Sequence, residues 1–462
     1  MDFASLRAIH FIGIGGAGVS GLARLALQAG ARVSGSDLKA SPVTDALSAL
    51  GATVHIGQRS SNLASSVNLV VASAAVRPSN PEYAAAVCRG TRILKYAEAL
   101  GELTRSRTNL CVSGTHGKTS TASMLAQILR PLGAGWLIGG EPQSLGTNAA
   151  WGSADHFIIE SCEYDRSFLK LHPHVAILNN IEADHLDVYG DEDGVEQGFA
   201  EFIARVPHNG LLIYNADDRR CTRVAHSARC RRISFGQREG ADWRLTHIDT
   251  STGFANARVW CQGEFVGDLS LNVPGRVYAH NALAALAAAQ VAGADISQAL
   301  AALSQYRGVR RRFEMLGRLN GAPLIDDYAH HPTAVKQLLE AARQNFGSRR
   351  VVAVFQAHQY QRLNGFFGEF ADALALADRV LIARTYAARE TDVIPGVPEA
   401  HLATTLHNRD VSAASFETFG DLTAHIRATT QSNDAVVFIG AGDINEVAFE
   451  LLAPALPARV AA

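Results

Sequence analysis

A glycine-bracketed turn, Gly114-Thr115-His116-Gly117, followed at once by Lys118-Thr119, stands between two apolar stretches of different period. Before it, residues 108–112 (TNLCV) form a short apolar run that reads as a strand. After it, Met124, Leu125, Ile128 and Leu129 recur at helical spacing. A strand that feeds a helix through a tight turn is the opening of a βαβ unit and commits this part of the chain to an α/β sheet. It also sets glycine-rich backbone at a helix N-terminus, where unpaired N–H groups and the helix dipole favour a polyphosphate. Lys118 suits the β- and γ-phosphates as a point charge, and Thr119 offers Mg²⁺ a hydroxyl. The general phosphate-loop pattern has a glycine where this chain has Val112, so the loop is a shortened variant. The plainer reading is a glycine-rich turn beside a solvated lysine.

The stretch 8–36, AIHFIGIGGAGVSGLARLALQAGARVSGS, repeats this logic. An apolar strand enters Gly13-Ile14-Gly15-Gly16-Ala17-Gly18, a helix is predicted over 19–28, and a second strand over 31–34 ends near Asp37. A G-x-G-x-x-G turn in that setting, with an acid about twenty residues on, points to a nucleotide-binding βαβ unit. Asp37 suits a ribose hydroxyl, of NAD or of a UDP-sugar, or a helix cap in a turn. A further strand over 69–71 ends at Ser73.

Length and composition frame these units. The 462 residues, 47% apolar and 19% charged, suggest about three domains. A formal net charge of −2 gives no basis for binding nucleic acid or an anionic membrane surface. The six cysteines show neither metal spacing nor a disulfide framework, as expected of structural thiols in a reducing cytosol. No secretory leader and no membrane-length apolar run is seen, so a soluble cytoplasmic protein is expected.

Polar clusters mark the ends of the remaining apolar runs. In the middle of the chain, Gly146-Thr147-Asn148 is a glycine-rich loop with polar reach. The run 156–159 ends in Glu160-Ser161-Cys162-Glu163, and the run 175–181 ends in Glu182-Ala183-Asp184-His185. Ligands of open α/β sheets gather at the carboxyl ends of strands, and acids beside a phosphate loop suit Mg²⁺. On spacing alone His185 reads equally as a metal ligand or a structural histidine. Residues 234–273 alternate as a β-rich insertion, and a helix is predicted over 281–291. From about Arg312 a third α/β domain begins. Strands over 323–325, 350–355, 380–383 and 435–439 end in Asp326-Asp327-Tyr328-Ala329-His330-His331, in Gln356-Ala357-His358-Gln359-Tyr360-Gln361-Arg362, in residues 385–390 and in Gly440-Ala441-Gly442-Asp443.

This set resembles the Mur ligase family of peptidoglycan synthesis. The residues that carry the resemblance are GIGGAGVSG at 13–21, SGSD at 34–37, GTHGKTSTASM at 114–124, ESCEYDRSFL at 160–169 and NIEADHLDVY at 180–189. RRFE at 311–314, DDYAHHPT at 326–333, FQAHQYQR at 355–362, YAARE at 386–390 and GAGD at 440–443 complete it. The resemblance implies a Rossmann-like UDP-sugar domain (1–106), a central ATPase-type α/β domain (107–312) and a mobile Rossmann-like C-terminal domain (313–462). It implies ATP and Mg²⁺ as cofactors, UDP-N-acetylmuramate and L-alanine as substrates, and a monomer or weak homodimer. Gly114, Thr115, His116, Gly117, Lys118, Thr119, Ser120, Asn281, Arg312 and Asp327 would then serve ATP. Gly15, Gly16, Ala17, Gly18, Asp37, Ser73 and Asn148 would hold the UDP-sugar. Thr119, Glu160 and His185 would be metal ligands, Lys118, His185 and His330 catalytic, and His358 and Arg362 would face the amino acid's carboxylate.

The chain departs from the family's pattern at several positions. Of the usual P-G-x-H-N-x-x-N, residues 274–281 keep Pro274, Gly275 and the last asparagine, Asn281. Gln359 stands where many relatives carry arginine, Ala357 replaces a proline, and Phe199 occupies the place of the carbamylated lysine of sister ligases. A ligase of the same family that recycles a preformed tripeptide, an NAD-dependent oxidoreductase built on 13–18, and a catalytically weak nucleotide sensor are the alternatives.

Overall fold

The strands that carry the two glycine-rich loops lie inside two sheets, the first parallel throughout and the second parallel on both sides of its loop-bearing strand. The computed structural model describes residues 8–388, 390 and 399–453; Arg389 and residues 391–398 lie outside them. The chain divides into two compact units. The first runs to Ile248 and takes in Asn256–Leu271 and Tyr278–Arg307; the second holds Asp249–Ala255, Asn272–Val277 and the chain from Gly308 on.

The first unit opens with a five-stranded sheet of β1 (Ala8–Ile12), β2 (Arg32–Asp37), β3 (Thr53–Ile56), β4 (Leu69–Ala72) and β5 (Arg92–Lys95), in the order β3-β2-β1-β4-β5. Every pairing is parallel. β1 and β4 are buried along their whole length, as continuous apolar runs in a parallel sheet require. The chain turns to opposite sides at β1, so the loop that follows it sits at a topological switch point.

The second sheet holds β6 (Thr108–Ser113), β7 (Gly135–Leu137), β8 (Ala149–Ala150), β9 (His156–Glu160), β10 (Val175–Leu178), β11 (Leu211–Asn215), β12 (Arg231–Gly236), β13 (Trp243–Asp249), β14 (Asn256–Cys261) and β15 (Glu264–Ser270). Its order, β15-β14-β13-β12-β11-β10-β6-β9-β7-β8, reverses direction at β6 and so sets the loop after β6 at another switch point. Residues 234–273, expected as a β-rich insertion, do form strands, and these prolong this sheet as β13–β15. Phe235 pairs in parallel with Trp243, and Trp243, Leu245, Ala257, Val259 and Leu269 turn a buried face inward. The alanine-rich helix, expected over 281–291, spans Arg276–Val291.

The two sheets of this unit share one core, which includes Phe11, Leu22, Leu137, Phe157 and Phe168. At the seam, the helix Ala17–Gln28 approaches β7 and β8 closely because residue 21 is glycine. A Cβ there would stand 3.0 Å from the Asn148 amide nitrogen and 3.4 Å from Leu137 and Ala149. Trp151 Nε1 donates to Leu25 O at 2.7 Å across the same seam.

The second unit is a six-stranded sheet of β16 (Glu314–Leu319), β17 (Ala322–Asp327), β18 (Arg350–His358), β19 (Arg379–Tyr386), β20 (Ser412–Phe416) and β21 (Asp434–Ile439), ordered β16-β17-β21-β18-β19-β20. Only β16 runs antiparallel to its neighbour. Separate apolar clusters, around Phe355 and Phe370 and around Phe438 and Leu451, form its cores. β18 runs three residues past its expected end, so Gln356, Ala357 and His358 belong to the strand. Among the described residues no helix is long and apolar enough to cross a membrane.

Candidate functional site

The phosphate-type loop has the geometry its glycines demand. Gly117 adopts φ +79°, and a Cβ there would stand 2.5 Å from Asn281 Oδ1, so only glycine closes this turn. The contact also places Asn281, on the alanine-rich helix, beside the N-terminus of the helix Lys118–Leu129. The loop is held from below by two residues after β10. Thr115 N donates to Asn180 O at 3.1 Å, His116 N to Asn180 Oδ1 at 2.7 Å, and Asn179 Nδ2 to Thr121 Oγ1 at 3.0 Å.

Lys118 lies across this loop, donating to Gly114 O at 2.6 Å and Thr115 O at 3.0 Å. Its Nζ stands 3.0 and 2.8 Å from the two Glu163 carboxylate oxygens. Burial works to lower the lysine pKa, but the facing Glu163, with Cys162 and Glu160 behind it, outweighs burial and holds it above its ordinary value. Thr119 Oγ1 donates to Glu160 Oε1 at 2.8 Å, and the other Glu160 oxygen accepts from Gly139 N at 2.6 Å. His185, at φ +54°, sets its Nε2 3.9 Å from Glu163 Oε1 and 3.7 Å from Asp184 Oδ2. The ends of β6, β9 and β10 thus bring the loop, Glu160, Glu163 and His185 together. Hydroxyl and carboxylate oxygens at Thr119 and Glu160 form a donor set that fits a hard divalent cation such as Mg²⁺.

The other glycine loop follows β1. Gly13 N and Ile14 N both donate to Ser36 O, at 2.8 and 2.9 Å. Asp37 Oδ2 accepts from Gly15 N at 2.8 Å, so this carboxylate also braces the loop itself. Ser73 stands against Gly13, and Asn148 donates to Ala17 O at 3.0 Å. Gly15, Gly16, Ala17, Gly18, Asp37, Ser73 and Asn148 are therefore assembled at one place within the first unit.

In the second unit, Asp327 ends β17 with Oδ2 accepting from Phe313 N at 2.7 Å and Oδ1 from Ala329 N at 2.8 Å. Burial raises its pKa against the opposing effect of Arg312. Arg311 and Arg312 both lie over the Tyr328 ring, at 5.0 and 5.2 Å. Arg311 Nε stands 3.3 Å from the fully buried Asp326, whose carboxyl burial pushes up to about 7. His330 Nδ1 meets Tyr328 O at 2.9 Å, and its ring centre lies 5.9 Å from that of His358. His358 stacks on Tyr386 at 5.7 Å. Arg362 Nη1 reaches His358 Nδ1 at 3.2 Å and Gln359 Oε1 at 3.1 Å. His330, His358 and Arg362 thus share one rim of this sheet.

Some residues of these sites were not among the sequence candidates. Glu163 was legible as a metal-type acid after a strand, but its pairing with Lys118, 45 positions away, was not. Asn179 and Asn180 left a fainter signal, two polar residues inside the otherwise apolar run 175–181. Glu390 accepts from Tyr360 N at 2.7 Å and Gln361 N at 3.1 Å, capping the short helix that carries Arg362.

Three family models match consecutive parts of this chain. The Mur ligase family catalytic domain matches 8–108, the Mur ligase middle domain 112–289, and the Mur ligase glutamate ligase domain 311–442. The chain belongs to the Mur ligase family. Within it, the chain is 38% identical over 445 residues to a UDP-N-acetylmuramate–L-alanine ligase of Clostridium acetobutylicum, covering 96% of each chain. It is 40% identical to the enzyme of that name from Chlorobaculum tepidum, over 97% of this chain and 95% of the relative. The solved UDP-N-acetylmuramate–alanine ligase of Thermotoga maritima superposes with a TM-score of 0.83 at 28% identity, covering 96% of this chain and 98% of that one. A murein peptide ligase of Psychrobacter arcticus superposes with 0.74 at 26% identity, over the same shares of the two chains. The three-domain α/β architecture of the Mur ligases thus accounts for all three sheets.

Proposed function

We propose that this protein is an ATP-dependent ligase that joins L-alanine to the carboxylate of UDP-N-acetylmuramate in peptidoglycan precursor synthesis. The observation that carries the reading is the convergence of Lys118, Thr119, Glu160 and Glu163 on one phosphate-type loop in a chain with close relatives of that name. A carboxylate is a poor electrophile, so amide formation needs a better leaving group. The muramate carboxylate attacks the γ-phosphorus of ATP, the bond to the β-phosphate oxygen breaks, and ADP and an acyl phosphate result. The alanine amine then attacks the acyl carbon, loses a proton, and inorganic phosphate leaves.

Within that scheme Gly114–Ser120 and Asn281 take the nucleotide, and Lys118, kept charged by Glu163, faces the transferred phosphoryl group. Bound at Thr119 and Glu160, Mg²⁺ would neutralise phosphoryl charge; His185, beside Glu163 and Asp184, is the proposed ligand of a second cation. Gly15–Gly18, Asp37, Ser73 and Asn148 hold the UDP-sugar. In the second unit, Arg312 and Asp327 serve the nucleotide, His330 is the catalytic candidate, and His358 and Arg362 offer a carboxylate a cationic partner. We assign the domains to 1–106, 107–312 and 313–462 and place the enzyme in the cytoplasm, as a monomer or weak homodimer, without nucleic-acid or membrane partners. The free state of all six cysteines fits that compartment.

The test follows one oxygen. UDP-N-acetylmuramate labelled with ¹⁸O in its carboxylate should give labelled inorganic phosphate and unlabelled ADP. Label in AMP, with pyrophosphate among the products, would overturn the acyl-phosphate route. A preformed tripeptide that outperforms L-alanine as acceptor would move the assignment to the recycling ligase.

A further inference from the structure

Against the first sheet lies a fully buried carboxylate that no step above uses. Glu82, on the first turn of the helix Pro81–Cys88, is 0% exposed, and so is His10 on β1. Four donors converge on it. Ser36 Oγ donates at 2.5 Å, Asn62 Nδ2 at 2.6 Å, Arg59 N at 3.3 Å and His10 Nε2 at 3.3 Å. A carboxylate can only accept, so a proton of His10 sits on Nε2, and the ring's Nδ1 lies 2.9 Å from Ser34 Oγ. Burial alone would raise the Glu82 pKa; the hydrogen bonds from His10, Ser36 and Asn62 overcome it and hold the group below its ordinary value.

Two of these donors, Ser36 and Asn62, lead to the glycine-rich loop or its supports. Ser36, gripped by Glu82 through its hydroxyl, is the residue whose carbonyl accepts from both Gly13 N and Ile14 N. Asn62 also donates to Gly57 O, and Gly57 N donates to Asp37 O, next to the carboxylate that receives Gly15 N. β1, the end of β2 and the segment 57–62 are thus tied to one point beneath the loop. A buried charge that merely filled space would be a poor choice, since apolar packing there would cost less.

We propose that Glu82 is a positioning residue for the UDP-sugar site, fixing the Gly13–Gly16 loop and Asp37 through Ser36 and Asn62. The inference rests on the reading of that loop as the UDP-sugar site. The partners of its carboxylate are Ser36, Asn62, Arg59 and His10, none of them on the phosphate-type loop at 114–119.

The experiment is calorimetric titration of the full-length protein with UDP-N-acetylmuramate, alongside KM for ATP and the thermal midpoint. Gly15→Ala tests the underlying reading, because its methyl would stand 2.9 Å from Asp37 Oδ2. Glu82→Gln keeps the shape but loses the charge, and should weaken UDP-sugar binding roughly tenfold, the order set by a hydrogen bond to a charged group. KM for ATP should stay unchanged in that variant. Ser36→Ala removes a single bond and should move UDP-sugar affinity in the same direction by a smaller factor; it decides the matter if Glu82→Gln does not fold. UDP-sugar affinity unmoved in Glu82→Gln and Ser36→Ala, with Gly15→Ala weakened, would overturn the proposal. Affinity unmoved in Gly15→Ala would overturn the reading beneath it. Equal loss of both nucleotides in Ser36→Ala would show a merely structural role.

Discussion

Replacing Lys118 by methionine separates what this residue does for the fold from what it does for the reaction. The side chains of Lys118 and Glu163 are 13% and 4% exposed, and they meet at 2.8 Å. Methionine fills the lysine's volume but leaves the Glu163 charge buried without its partner, a change that costs about 3–5 kcal/mol. Loss of the bonds to Gly114 O and Thr115 O adds about 1 kcal/mol each at most. Glu163→Gln in the same chain removes the orphaned charge, so the double variant should recover most of the loss. All four tryptophans, Trp136, Trp151, Trp243 and Trp260, lie in the first unit, so their fluorescence during urea unfolding reports that unit alone. Turnover should fall by at least about two orders of magnitude in both variants, the order seen on removal of a group that stabilises transition-state charge. UDP-N-acetylmuramate binding should be nearly unchanged. A double variant no more stable than Lys118→Met would refute the buried-charge argument. Loss of UDP-sugar binding in either variant would mean the two nucleotide sites are wrongly assigned.

Other consequences are equally direct. Glu160→Gln should raise the Mg²⁺ concentration needed for half-maximal activity by roughly tenfold or more, because a neutral amide replaces the charged oxygen donor beside Thr119; an unmoved Mg²⁺ midpoint would remove Glu160 from the metal site. Arg362→Ala should raise KM for L-alanine, with KM for ATP little changed, since Arg362 is the charged donor proposed for the amino acid's carboxylate. Equal changes in both constants would argue against that role. Asp326, raised to about 7 in the fold by burial, binds more protons folded than unfolded between about pH 4 and 7. Its contribution therefore lowers the stability of the second unit as pH rises through that window, and Asp326→Asn should flatten the dependence. Circular dichroism of transitions silent in tryptophan fluorescence would check this, and a variant with an unchanged pH slope would refute it.

What the sequence by itself determined is what is local. The strand–turn–helix at 108–129 and its counterpart at 8–28 depend on residues a few positions apart, and glycine, apolar period and the following polar residue are enough to define them. The position of Asp37, Glu160, Asp327 and His358 at or near strand carboxyl ends was legible for the same reason. Even so, β18 and β19 run on through residues whose polarity suggested a loop, because parallel pairing with flanking strands outweighs side-chain propensity. Only the tertiary structure decided which ends meet. Lys118 finds Glu163, Gly117 finds Asn281, and Ser36 finds Glu82 because β6, β9, β10 and the alanine-rich helix, and separately β2 and the helix Pro81–Cys88, are brought together. The same is true of β13–β15, whose alternation announced strands but not the edge they would join. Sheet order is set by burial and pairing summed over a whole domain, a quantity no short window of residues contains.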